Sequence, residues 1–388
     1  MRKLQLTLLL PLLWPGSIRA QSNTYAAVDS AVQSGIAQGI YPGAVLLIGR
    51  RDSLLYAKGY GHLTWNRGAP TTRPDSTLWD LASLSKVVAT TSAVMLLVER
   101  GRVSLDQPVS RYLPRFVGGR KAEVTVRMLL DHTSGLRSYV EFYRLAPTRD
   151  SAVSLLYAEP LIRAPGAEAE YSDLNAILLG LLVEAVTSEP LDRFVEREVF
   201  VPLRMSQTTY HPPRSSVRRT APTGVWRGHP SAGVVNDRNA ARLGGAAGHA
   251  GVFSTGTDLV KFAQMWLAQG ALPAGRFVQA ATIRTFLKHD PGSGTRLLGW
   301  DSPDTSSVEP TAYGRLLGPN AFGHTGWTGT QIWIDPARDL FLVFLTNRSF
   351  SPRVGHSIRE LRAVRSRLAD ATVNALPQGC AVVLKAAC

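Results

Sequence analysis

Leu81-Ala82-Ser83-Leu84-Ser85-Lys86 runs straight into an apolar stretch containing Val87, Val88, Val94, Met95, Leu96 and Leu97, which Gly101 closes. The spacing predicts a helix over Lys86–Arg100. Ser83 and Lys86 then share one helix face, a turn apart. The start of that helix offers backbone N–H groups and a positive dipole end to a developing anion. A serine hydroxyl is a poor nucleophile until a base takes its proton, and a lysine whose pKa is lowered by burial can be that base. The same residues suit a capping serine ahead of an ordinary core helix, so further residues must decide between the two.

Three other segments bear on the choice. Tyr171-Ser172-Asp173-Leu174-Asn175 opens the apolar run Ala176–Val186; a tyrosine beside a lysine can relay a proton. His324-Thr325-Gly326-Trp327-Thr328-Gly329-Thr330 leads into a hairpin, where glycines permit close approach and a free N–H can stabilise an oxyanion. Leu129-Leu130-Asp131-His132-Thr133-Ser134-Gly135-Leu136 is a helix end and a polar glycine turn. Each alone also reads as a core tyrosine, a glycine-rich turn or a helix stop.

Taken in order, the four segments resemble the serine β-lactamase and penicillin-binding-protein superfamily, nearest the branch of class C β-lactamases, DD-carboxypeptidases and related esterases. Gly244–Thr255 with Asp258-Leu259 is similar to a further family segment. The resemblance implies an α/β (α+β) fold: an antiparallel sheet with flanking helices plus a mostly helical inserted domain. It implies Ser83 as the acylated nucleophile, Lys86 as its activator and Tyr171 as a proton shuttle. The backbone N–H groups of Ser83 and Trp327 would form the oxyanion hole. Asp173, His324, Thr325 and Gly326 would bind substrate. No metal or cofactor is implied, and the eight histidines show no H-E-x-x-H pattern.

Two positions depart from the family pattern. His324 stands where β-lactamases usually carry lysine, and Asp173 where asparagine is usual. A histidine is largely neutral above about pH 6.5, and an ionised aspartate cannot donate a hydrogen bond. Both weaken the usual contacts to an anionic β-lactam. If His324 bound a substrate carboxylate as a cation, KM would rise between about pH 6 and 8. If Asp173 paired with Lys86, it would raise the lysine's pKa and shift the burden to Tyr171. The expected activity is an exported serine hydrolase acting on D-amino-acid cell-wall peptides or small esters. The alternatives are a β-lactamase and a penicillin-binding or peptidoglycan-sensing module that acylates without turnover.

Working outward, Thr24–Ile40 reads as a helix, Ala44–Gly49 and Leu54–Gly59 as a hairpin, and Thr330–Ile334 with Leu340–Thr346 as a second hairpin. Further helices are expected at Thr125–Leu130, Ala176–Thr187, Asp258–Gln269 and Ser357–Asn374, with irregular loops over 204–247. The expected organisation is a signal peptide at 1–20, a catalytic domain at 21–375 and a tail at 376–388. Within the catalytic domain, 21–85 with 296–375 would form the α/β part and 86–295 the helical insertion.

The 388 residues carry 43 basic and 29 acidic side chains, a formal charge of +14. The leader would remove three of those charges. The rest is scattered arginine without interleaved aromatics, which argues against a nucleic-acid groove and leaves anionic peptidoglycan as a compatible partner. No later segment reaches the length of an apolar membrane anchor. The only cysteines, Cys380 and Cys388, exclude a disulfide-built fold; in an oxidising compartment they could pair.

Overall fold

A computed structural model describes residues 24–376 apart from 305, 308–310 and 352–353. The proposed leader and both cysteines lie outside the described residues. Helix α1 (Ala26–Ala37) precedes strands β1 (Gly43–Arg50) and β2 (Ser53–Gly61). The far end supplies β5 (Phe322–Thr325), β6 (Gln331–Asp335), β7 (Leu340–Thr346) and helix α6 (Val354–Asn374). These strands form one five-stranded sheet in the order β2-β1-β7-β6-β5, every neighbour antiparallel.

The strand sequences explain why both faces are covered. In β1, Ala44, Leu46 and Ile48 pack toward α1 and α6, while Val45 and Leu47 join the larger core opposite. In β7, Leu340, Leu342 and Phe344 face the first layer, and Phe341, Val343 and Leu345 the second. Successive side chains point to opposite faces, so a continuous apolar run is what a strand buried on both sides requires.

Between the chain ends lie short strands β3 (Trp79–Asp80) and β4 (Phe253–Ser254), paired with each other, and helices α2 (Ser92–Glu99), α3 (Val126–Leu130), α4 (Asp173–Thr187) and α5 (Gly256–Leu267). Helix α5 falls inside 86–295, yet it packs on the sheet: a Cβ on Gly256 would stand 2.3 Å from Leu47 Cδ1. The stretch 204–247 is mostly irregular but contains a tight helical turn at Arg214–Arg219 and a short helix at Arg238–Arg242. No single helix among the described residues is long and apolar enough to cross a membrane.

The expected helix Lys86–Arg100 differs at its start. Lys86–Thr91 is π-helical and becomes α-helical only at α2. The Ser92 hydroxyl donates to the Val87 carbonyl five residues back at 3.0 Å, and Thr90 Oγ1 donates out of the helix to the Gly248 carbonyl at 2.7 Å. Such widened turns recur at functional sites.

Candidate active site

Ser83 sits at the mouth of this widened turn, held by residues on either side. Ala82 has φ +47, the left-handed region that disfavours a side chain. Asp80 steadies it by accepting the Ala82 N–H at 2.9 Å, and its other oxygen accepts the Asn236 N–H at 2.7 Å. Burial pushes the Asp80 carboxyl up to about 6, against those two bonds.

Lys86 Nζ donates to Ser83 Oγ at 2.9 Å and to the His249 carbonyl at 3.2 Å. It also lies 2.7 Å from Asp173 Oδ1. Burial, the largest single influence, would push this lysine's pKa down; Asp173 and Tyr171 together raise it, and the net direction is up. Lys86 is therefore an ammonium at neutral pH. Asp173 does pair with it, and the lysine is no ready base.

Tyr171 completes the cluster. Lys86 Nζ lies 5.0 Å from its ring centroid, and its hydroxyl interacts with both Lys86 and Ser83. Burial pushes the phenol's pKa up, and the Lys86 charge offsets this only in part. The segment 129–136 positions this tyrosine. His132 accepts the Ser172 N–H at its Nδ1 at 3.2 Å and packs at a tilt against the Tyr171 ring, centroids 4.8 Å apart, while its carbonyl accepts the Glu170 N–H at 2.9 Å. Ser134 Oγ donates to Asn175 Oδ1 at 2.6 Å. Burial, reinforced by Arg296 and Lys86, keeps His132 neutral.

The loop after β5 closes over Ser83. Thr328 Oγ1 donates to the Asp80 carbonyl at 2.7 Å and Thr330 Oγ1 to the Leu81 carbonyl at 2.8 Å. Among the described residues, the N–H groups of Ser83 and Trp327 donate to no carbonyl. Two unengaged donors beside a hydroxyl can bind an oxyanion. Gly326 is required here, because a Cβ would meet Thr330 Oγ1 at 2.2 Å and the Leu81 carbonyl oxygen at 2.5 Å. Gly326→Ala should therefore lower kcat about a hundredfold or more by splaying this loop from Ser83; steady-state kinetics on an activated ester checks it.

A cavity of about 640 Å³ opens onto these groups. His324 is buried, and its Nδ1 faces the Thr325 carbonyl at 2.9 Å. Burial first, then the charges of Lys86 and Arg296, push its pKa well below the ordinary value. His324 is thus neutral and cannot serve as the cation for a substrate carboxylate. Arg296 can: it lines the same cavity, lies over the Tyr171 ring at 5.0 Å, and is only loosely held by Asp301 at 3.6 Å. Sequence reasoning missed Arg296, along with Asp237 and His249, which pair at 2.9 Å beneath Lys86. Asp237 also caps the 238–242 helix through the Ala240 N–H, a signal readable in sequence. Asp173, Asp237 and His249 bring ligand atoms within 4.8 Å of one another, but the Lys86 ammonium already supplies a cation there.

The family model described as Beta-lactamase matches residues 28–366. The chain belongs to the β-lactamase family. It is a serine hydrolase with that family's fold of antiparallel sheet and flanking helices. A Bacillus subtilis protein named N-acetylmuramyl-L-alanine amidase is 33% identical over 360 residues, covering 84% of this chain and 81% of the relative. A provisionally named D-alanyl-D-alanine carboxypeptidase of Salmonella enteritidis is 29% identical over 373 residues, covering 87% and 86%. A solved class C β-lactamase superposes with a TM-score of 0.73 at 21% identity, covering 92% of this chain and 98% of its own.

Proposed function

We propose that this β-lactamase-family hydrolase is exported and cleaves short carboxylate-bearing cell-wall peptides through a Ser83 acyl-enzyme, as a DD-carboxypeptidase does. The observation that carries the reading is Ser83 Oγ hydrogen-bonded to Lys86 Nζ, beside Tyr171 and two unengaged backbone donors, with the fixed charge of Arg296 on the same cavity. Ser83 Oγ attacks the amide carbonyl, and the negative charge gathers on the carbonyl oxygen between the Ser83 and Trp327 N–H groups. Tyr171 accepts the Ser83 proton as it passes its own to the departing nitrogen, with the Lys86 ammonium steadying the transient phenolate. The C–N bond breaks and an ester remains. Water, activated by the same relay in reverse, releases the acid and restores Ser83.

A second reading, hydrolysis of the amide between N-acetylmuramic acid and L-alanine, is favoured by the relative at 33% identity. It would run through the same Ser83 chemistry but with a muramyl acyl group on the serine and an L-alanyl amine as the leaving group. One panel separates the possibilities: a D-Ala-D-Ala peptide, an N-acetylmuramyl-L-alanine peptide, a nitrophenyl ester and a chromogenic cephalosporin. Turnover of the first supports the leading reading and turnover of the second alone replaces it. Cephalosporin turnover alone identifies a β-lactamase, and a single burst without turnover a sensor. In the same panel Arg296→Gln should raise KM for carboxylate-bearing peptides about tenfold or more and leave the neutral ester unchanged. Because His324 is neutral, the wild-type KM should stay flat between about pH 6 and 8.

A further inference from the structure

Against the loop 326–330, at the wall of the same cavity, sits a guanidinium that takes no part in proton transfer. Arg365, on α6, is 3% exposed. It donates through Nη2 to the Thr330 carbonyl at 2.6 Å and to the Gly326 carbonyl at 3.3 Å. Its leading electrostatic neighbours are Arg348, Arg362 and the phenols of Tyr313 and Tyr41, and among the described residues no ion pair to a carboxylate is formed. A buried charge without a counter-charge is costly, and burial pushes this arginine down to about 9, where it still holds its proton at neutral pH. Arg348, fully buried, repeats the arrangement one carbonyl further on, with Nε 2.9 Å from the Trp327 oxygen.

The Gly326 carbonyl and the Trp327 N–H belong to one planar trans peptide and point in opposite directions. A cation on the oxygen side fixes that plane and draws electron density from the nitrogen, which makes the N–H a stronger donor on the other side. We infer that Arg365 is a positioning residue for acyl transfer, orienting and polarising the Gly326–Trp327 peptide so that the Trp327 N–H meets the developing oxyanion. The inference rests on the Ser83 acyl-enzyme proposed above.

The test uses the full chain and a neutral nitrophenyl ester, with Ser83→Ala as control. Arg365→Met and Arg365→Gln should each lower kcat roughly tenfold to a hundredfold with KM within about twofold. Affinity for a boronic-acid analogue of the tetrahedral intermediate should fall by a similar factor. Arg365→Lys, which keeps the charge, should recover most of kcat. Removing an uncompensated buried charge should leave the melting temperature unchanged or raise it. Wild-type kcat in Arg365→Gln, or a loss confined to KM for carboxylate-bearing substrates, overturns the inference while Ser83-dependent turnover stands. If Arg365→Met does not fold, the Gln and Lys pair decides by the same criteria. Ester hydrolysis that persists in Ser83→Ala overturns the acyl-enzyme itself, and this inference with it.

Discussion

Ser83→Ala should lower kcat on every substrate by about four orders of magnitude or more and abolish covalent labelling by a fluorescent penicillin. The loss follows from chemistry alone, because the serine contributes little to packing. Its hydroxyl is bonded to Lys86, and Lys86 keeps its ion pair with Asp173 and its bond to the His249 carbonyl when that hydroxyl is gone. The variant should therefore melt within a few degrees of wild type. Lys86→Ala provides the contrast. It leaves the Asp173 carboxylate beside the cavity without its ammonium, so it should lose both activity and stability. Mass spectrometry after exposure to the penicillin reads the adduct directly. A variant that still acquires it would place the nucleophile elsewhere.

The elements legible in the sequence are those with a local cause. The β1–β2 hairpin follows from two apolar runs around Arg51-Asp52, and β7 from seven residues that are buried one after another. The expected helices are readable from their periodicity and caps, as where Thr255 accepts the Asp258 N–H at the start of α5, whereas the helix Arg149–Ala158 is not among those expected. Of the site, the segments around Ser83, Tyr171 and His324 could be quoted because each is a short contiguous string, and the fold brings them to one cavity.

What escaped notice are single residues whose meaning depends on distant partners. His249 reaches Lys86 across 163 positions through a backbone carbonyl, which no side-chain pattern records. Arg365 lies on an amphipathic helix rich in arginine, and only its burial distinguishes it from its exposed neighbours Arg362 and Arg367. Arg296 occupies an irregular turn. The charge of His324 was undetermined for the same reason: burial and two nearby cations decide it, and neither is visible along the chain.

Asp173→Asn should move the pH profile of kcat/KM, and the limb that moves identifies the proton acceptor. In the wild type the carboxylate 2.7 Å from Lys86 Nζ is the main influence opposing burial and, with Tyr171, holds the ammonium. The stability it brings is present at neutral pH and is lost only as pH climbs through the raised folded pKa. Asparagine removes that charge, only the weaker influence of Tyr171 still opposes burial, and the lysine's pKa falls. If Tyr171 relays the proton and Lys86 acts as a cation, the alkaline limb of the variant should shift down, with little gain at low pH. If neutral Lys86 is the base, its acid limb should shift down instead and activity near pH 7 should rise. The resting charges favour the first outcome: a lysine held protonated by Asp173 and a phenol pushed above its ordinary value can exchange protons only in concert. A rise in activity near neutrality in Asp173→Asn would return the role of base to Lys86 and make Asp173 a restraint on it.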